Sequence, residues 1–383
     1  MPRARDVDAC PGVLEVHHAA DGAVVRIRLP GGMITAAQLA TLAIAANQFA
    51  SGALELTARG NIQLRGVADL GAVTALVAEA DLLPSRTHER IRNIVASPLS
   101  GRRGGHVDVR TWVIDLDDAI QARPELASLP GRFWFSIDDG RADVSGLGAD
   151  VGLHVLGDTS AAGCALLLAG RDTGIRLPAN DVPHLIDALV GVGLRFAALR
   201  GTSWRVKELA NPVELLAGVA GPPSLDLTLA RGFAPVTTAP VGWIDQDDNR
   251  VALGAAVPLG VLPADVAACL AGIGAPLVVT PWRSMLVCDL DEDTADAALR
   301  VLAPLGLVFD EHSPWLRISS CTGRPGCVHA AADVRADASL AVRSEQAGWH
   351  RHFVGCERAC GSPPTGEVLV ATAEGYRVLR RQP

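Results

Sequence analysis

A chain of 383 residues with a hydrophobic share of 49% holds enough apolar material for one large core or two to three ordinary ones, which excludes global disorder. Its formal net charge of −8 argues against a general nucleic-acid binder, whose electrostatic footprint is usually basic, and the single tyrosine leaves little aromatic surface for base stacking. The most apolar stretches are cut by Gln48, Asp265 and several prolines, and the opening Met-Pro-Arg-Ala-Arg-Asp lacks the apolar core of a secretory signal, so a cytoplasmic protein with no membrane partner is expected.

Taken in chain order, the elements form a weak internal repeat. The first copy runs from Val24-Val-Arg-Ile-Arg-Leu through a helix to Leu54-Glu-Leu-Thr-Ala-Arg-Gly-Asn-Ile-Gln-Leu-Arg, and a helix is expected over Leu70 to Ala80. Thr35 and Gln38 have capping-box spacing at the start of its first helix. A mixed segment over 85–217 follows, with strands expected at Val107 to Leu116 and Phe133 to Ile137. A Pro- and Gly-rich linker is expected over 218–240.

The second copy runs from Val251-Ala-Leu-Gly-Ala-Ala through a helix, with Pro263 in its first turn, to Leu277-Val-Val-Thr-Pro-Trp-Arg-Ser-Met-Leu-Val-Cys, with a further helix over Thr294 to Leu302. The implied organisation is an α+β protein with pseudo-twofold duplication. Its units are 13–84, 85–217, 241–311 and 312–383; two unrelated α/β domains are the alternative.

The eight cysteines divide into two groups. Cys10, Cys164, Cys269 and Cys288 stand singly among apolar neighbours and are expected to be small buried residues. Cys321-Thr-Gly-Arg-Pro-Gly-Cys327 and Cys356-Glu-Arg-Ala-Cys360 form a C-x5-C and a C-x3-C pair. Four thiolates with freedom of backbone at Gly323, Gly326, Gly355 and Gly361 suit a [4Fe–4S] cluster. Zinc also takes four thiolates, but its pairs are usually spaced by two to four residues, and a disulfide framework is disfavoured in a reducing compartment.

Lys207 is the one lysine among the 34 basic residues, so any cationic site is built of arginine. In Thr57-Ala-Arg-Gly-Asn-Ile-Gln-Leu-Arg, an unbroken strand would place Thr57, Arg59, Gln63 and Arg65 on one face and turn Ile62 and Leu64 inward. Two guanidiniums and an amide suit carboxylate recognition, because the arginine fork matches a carboxylate bidentately. A merely solvated strand face is the bland alternative. Further arginines follow at Arg86, Arg90, Arg92, Arg102, Arg103, Arg110 and Arg132.

The Thr-Ala-Arg-Gly-Asn-Ile-Gln-Leu-Arg-Gly segment together with the two cysteine pairs resembles the sulfite/nitrite reductase superfamily over essentially the full length, and within it the precorrin-3B synthase family. The resemblance implies ferredoxin-like half-domains duplicated about a pseudo-twofold axis, with mixed α/β sulfite/nitrite reductase-like domains. It implies that Cys321, Cys327, Cys356 and Cys360 ligate a [4Fe–4S] cluster, and that Cys360 stands where the reductases also bridge to sirohaem iron. Arg59 and Arg92 would lie at tetrapyrrole-contacting positions, with Gln63 and Asn93 in the same matched segments. Where sulfite reductases carry two proton-supplying lysines, this chain reads Leu129-Pro-Gly-Arg132-Phe-Trp134. Arginine is a poor proton donor and tryptophan is none, so the expected acids for sulfite reduction are missing. The asparagine common between the last two cysteines of the reductases is Arg358 here.

The activity so implied is an oxidoreductase, an oxygen-dependent monooxygenase that converts precorrin-3A to precorrin-3B by C20 hydroxylation and γ-lactone formation in cobalamin biosynthesis. Arg59, Gln63, Arg65, Arg92, Asn93 and Arg132 are the candidate contacts for its carboxylates. The family implication includes a mononuclear non-haem iron, for which His88, His106, His329, His350 and His352 are candidates by location; His350 and His352 would share a strand face. Precorrin-3A and O2 are the expected substrates. An external electron donor, an NADH-linked reductase or a ferredoxin, is expected because no strand-linked Gly-x-Gly-x-x-Gly occurs. The alternatives are a sirohaem-dependent nitrite or sulfite reductase and a non-catalytic tetrapyrrole-binding cluster protein.

Overall fold

The computed structural model describes residues 8–157, 163–219, 231–343 and 348–382; of the expected linker, residues 220–230 lie outside the described residues. The chain forms two compact units, each assembled from separated segments. One contains Arg28–Gly32, Leu83–Val236 and the described residues up to Leu14. The other contains Glu15–Ile27, Met33–Leu82 and the described residues from Thr237 onward.

The second unit contains the two repeats, and they match element by element. The first has strands Gly22–Ile27 and Met33–Ile34, helix Ala36–Phe49, strands Ala53–Leu56 and Ile62–Val67, and helix Leu70–Glu79. The second has strands Val251–Ala256 and Val261–Pro263, helix Ala264–Gly272, strands Leu277–Val279 and Ser284–Leu290, and helix Glu292–Leu302. Each repeat lends its short second strand to the other. Val261–Pro263 pairs antiparallel with Ala53–Leu56, and Met33–Ile34 pairs antiparallel with Leu277–Val279. Both five-stranded sheets are therefore completed by exchange, which covers an edge that would otherwise present unpaired backbone groups.

Local sequence explains the elements. Thr35 caps its helix as a full capping box: its side chain accepts from the Gln38 N–H, and the Gln38 side chain accepts from the Thr35 N–H. The alanine-rich faces of Ala36–Phe49 and Ala264–Gly272 pack on each other, with Leu39, Leu42, Ala46, Ala267 and Leu270 buried. Ile62 and Leu64 point into the core, both fully buried, as strand alternation requires.

The last third of the second unit is a four-stranded sheet. Ile318–Ser320, Arg351–Val354 and Gly366–Thr372 run parallel, and Gly375–Gln382 returns antiparallel. Helix Val334–Val342 packs against its first two strands.

The first unit carries a five-stranded sheet in the order Arg171–Pro178, Gly163–Leu168, Val151–Leu156, Phe135–Asp138, Ile94–Ala96. The strand expected over Val107 to Leu116 is instead the start of a helix, Arg110–Gln121. Its buried residues Val109, Trp112, Val113, Leu116 and Ile120 follow helical spacing, and the alternation of Val107 and Val109 imitated a strand over too short a window. Helix Val182–Leu199 is long and apolar enough to cross a membrane by composition, yet Leu185, Ile186, Leu189, Val192 and Phe196 are buried within the unit, as in a core helix.

Two of the single cysteines depart from expectation. Cys164 and Cys288 are fully buried, whereas Cys10 is half-buried and Cys269 is exposed on its helix.

Candidate cysteine centre and its arginine frame

Adjacent parallel strands deliver the two cysteine pairs to the same end of the C-terminal sheet. Ile318–Ser320 runs directly into Cys321, and Arg351–Val354 runs through Gly355 into Cys356. The Cys321 N–H continues the ladder to the Phe353 carbonyl at 2.9 Å, and the Gly355 N–H donates to Cys321 Sγ at 3.3 Å. The Ala331 N–H donates to the Gly355 carbonyl at 2.8 Å, which ties the two loops together. A side chain at Gly355 would prevent this approach, since an added Cβ would stand 2.4 Å from Ala330 Cβ.

All four cysteines are free thiols, and they lie in one neighbourhood. The Cys360 thiol is pushed up by partial desolvation and then by Cys321, Cys356 and Cys327 in turn. Among the described residues no three His, Cys, Asp or Glu side chains converge closely enough to hold a single metal ion. Four neighbouring thiols on glycine-rich loops fit the ligand set of a [4Fe–4S] cluster.

Among the described residues no histidine candidate belongs to a group of three potential metal ligands. His88 lies in the first unit, bonded to Ser85, Thr87 and the Arg123 carbonyl. His106 and His329 are exposed. His350 and His352 do share a face: His350 Nε2 and His352 Nδ1 both bond Ser319 Oγ at 2.7 Å. His352 Nε2 then donates to the Cys360 carbonyl at 3.0 Å, so both its ring nitrogens are engaged. Burial and the nearby Arg283 bring His350 down to about 4 and His352 to about 3, and both are neutral at neutral pH. The pair buttresses the C-x3-C loop through Ser319 and the Cys360 carbonyl.

The arginine face differs from an unbroken strand. Residues 57–61 form a turn, closed by Thr57 N–H to the Asn61 carbonyl at 2.9 Å, so half-buried Arg59 lies on that turn while Gln63 and Arg65 share the strand face. The Gln63 amide accepts from Arg26 and donates to Glu55. Arg65 grips Asp21 bidentately at 2.8 and 3.0 Å, and its Nη2 also donates to the Gly326 carbonyl at 2.9 Å. A cavity of about 450 Å³ beside the C-x5-C loop is walled by the Arg65–Asp21 pair together with Arg335 on Glu55.

In the first unit Arg92 is buried and bidentate to Asp117 at 2.6 and 2.7 Å, pinning helix Arg110–Gln121. Asn93 donates to the carbonyls of Arg90, Gly131 and Phe133. Arg132 is exposed and stacks over Trp204, whereas Trp134 is buried against Val95, Val144 and Ala149.

Arg283 is a residue that the face argument passed over. The turn Thr280–Ser284 repeats the turn 57–61, with the same 2.9 Å and 3.2 Å backbone bonds, and Arg283 at φ 57° occupies the place of Gly60 at φ 65°. Its Nη2 donates to the Gly361 carbonyl at 3.1 Å. Superposing the repeat strings would have paired an arginine with a turn glycine, and that mismatch was the available signal.

Comparison with known proteins agrees with this architecture. Residues 17–80 match the nitrite/sulfite reductase ferredoxin-like half domain. The chain is 28% identical over 393 aligned residues to a precorrin-3B synthase from a Sinorhizobium species, covering 97% of this chain and 82% of that protein. It is 26% identical to sulfite reductase (ferredoxin) 2 of Mycolicibacterium paratuberculosis, over 82% of this chain but only 61% of the relative. The solved structure of the Mycobacterium tuberculosis NirA protein superposes with a TM-score of 0.74 over 93% of this chain and 74% of that one, at 20% identity. The chain thus has the sulfite/nitrite reductase fold, with a reductase-type ferredoxin-like half domain, and over nearly all its length it resembles precorrin-3B synthase.

Proposed function

We propose that the chain is an oxygen-dependent monooxygenase that converts precorrin-3A to precorrin-3B, hydroxylating C20 and closing a γ-lactone, with a [4Fe–4S] cluster on Cys321, Cys327, Cys356 and Cys360. The observation that carries this reading is the delivery of both cysteine pairs to one end of two parallel strands, in a chain that resembles precorrin-3B synthase over 97% of its length. The bound cluster would supply single electrons, which triplet oxygen needs to react with a closed-shell macrocycle. The chain's own part is to bind and orient. Arg59, on its turn, is the arginine we assign to the substrate's carboxylates. In the same unit Gln63 and Arg65 spend their polar groups on internal partners and act as its frame; in the first unit Arg92 and Asn93 are likewise held by internal partners.

A sirohaem-dependent reductase is the second reading, favoured by the match to sulfite reductase and by the NirA fold. Against it, the expected lysine pair is replaced by Arg132 and Trp134, and Trp134 is buried. Incubation of the anaerobically purified protein with precorrin-3A, a reductant and 18O2 decides between them. One labelled oxygen in a lactone product is expected. Unchanged substrate together with extractable sirohaem would transfer the assignment to the reductase.

A further inference from the structure

Each half-domain sends one arginine to one cysteine loop. Arg65, from strand Ile62–Val67 of the first half, donates to the carbonyl of Gly326, the residue before Cys327. Arg283, from the turn of the second half, donates to the carbonyl of Gly361, the residue after Cys360. Each contact is made at a glycine. An added Cβ would lie 3.1 Å from Arg65 Nη2 at Gly326 and 2.6 Å from Arg283 Nη2 at Gly361.

The two arginines differ in electrostatic setting. Arg65 is neutralised by its bidentate pair with Asp21. Arg283 forms no ion pair among the described residues; Glu55, Arg335 and the Cys321 thiol act on it only at longer range. It also holds a left-handed backbone conformation that costs its glycine counterpart nothing and an arginine something. An uncompensated cation beside ligand thiols stabilises an added electron more than one already paired.

We infer that Arg65 and Arg283 are positioning residues that hold the two cysteine loops in their cluster-binding form, one from each half-domain, and that Arg283 alone also raises the reduction potential of the centre. The inference rests on the [4Fe–4S] reading above.

The test uses cluster-loaded full-length protein, with two readouts: the rate of loss of visible absorbance to an iron chelator, and the midpoint potential by optical titration. Arg283→Gly installs the residue found at the equivalent turn, so the backbone relaxes while the clamp and charge are removed. Several-fold faster cluster loss and a more negative potential are expected. Arg65→Gln should lose its cluster faster; with Asp21→Asn added, so that the neutral pair is removed whole, the potential should stay unmoved, and Arg283→Lys should keep the potential near that of the parent. Parent-like loss rates in both Arg65→Gln and Arg283→Gly, or an unshifted potential in Arg283→Gly, would overturn the inference while the cluster reading stands. A parent protein without iron and sulfide would remove both.

Discussion

Cys321 and Cys356 each follow a strand end that the other strand's backbone holds in place, so replacing either sulfur tests the centre without disturbing the sheet. Cys321→Ser or Cys356→Ser is expected to lose the broad visible absorbance of the cluster, read together with iron and sulfide content. Retention of full iron and sulfide would remove that residue from the ligand set. Arg59→Ala is expected to weaken tetrapyrrole binding by roughly 1–3 kcal/mol, the usual worth of a charge-assisted hydrogen bond, with cluster content intact. Equal affinity in a fluorescence titration would clear Arg59 of the role. Residue chemistry was partly legible in the string. Cysteine spacing and glycine content pointed to the centre because they act locally. The partners of Arg65 did not show, since Asp21 and Gly326 stand 44 and 261 positions away and a strand pattern says nothing about what meets a side chain.

Elements were read best where both a period and a cap were present. Thr35 with Gln38 fixed one helix start, and Asp291, which caps Glu292–Leu302 through the Thr294 N–H, lies beside the helix expected there. Helix Arg110–Gln121 has no side-chain cap, and Val107 and Val109 alternate just before its first turn, so nothing local opposed a strand. The element with the clearest functional test is the end of strand Phe135–Asp138. Burial works against ionisation of Asp138, but His154 and the N–H groups of Ser145 and Ala142 bring it down to about 2. Burial and then the charge of Asp138 push Asp143 up to about 7, against Ser97 and Arg141. The signs are opposite. Asp138 contributes stability above its ordinary pKa of 3.8, lost as pH falls toward 2. Asp143 binds its proton more tightly in the folded chain, so its contribution is complete below 3.8 and is lost as pH rises to about 7. Asp143→Asn should therefore gain on the parent by on the order of 1 kcal/mol per pH unit across that window, read from urea midpoints. Parallel pH profiles would show that the carboxyl titrates normally.

At the scale of the whole molecule the repeat was legible but its interlocking was not. Aligned strand and helix patterns revealed two copies, because hydrophobic period survives divergence where identity does not. No pattern within one copy says that its second strand pairs with the other copy's sheet, since Met33–Ile34 and Val261–Pro263 are too short to carry a register signal. That exchange makes the copies mutually dependent. A fragment spanning 13–84 would lack the strand that covers Ala53–Leu56 and the helix Ala264–Gly272 that packs on Ala36–Phe49, leaving an open edge and an uncovered alanine-rich face. Such a fragment should show weak, non-cooperative unfolding by circular dichroism, although it contains the entire matched ferredoxin-like half domain over 17–80. Adding a fragment of 237–383, which returns Val261–Pro263 and receives Met33–Ile34, should restore a cooperative transition in a one-to-one complex. Cooperative folding of 13–84 alone would mean that the exchanged strands decorate two self-sufficient halves. A cooperative transition only in the mixture would mean that the duplication folds as one interlocked core.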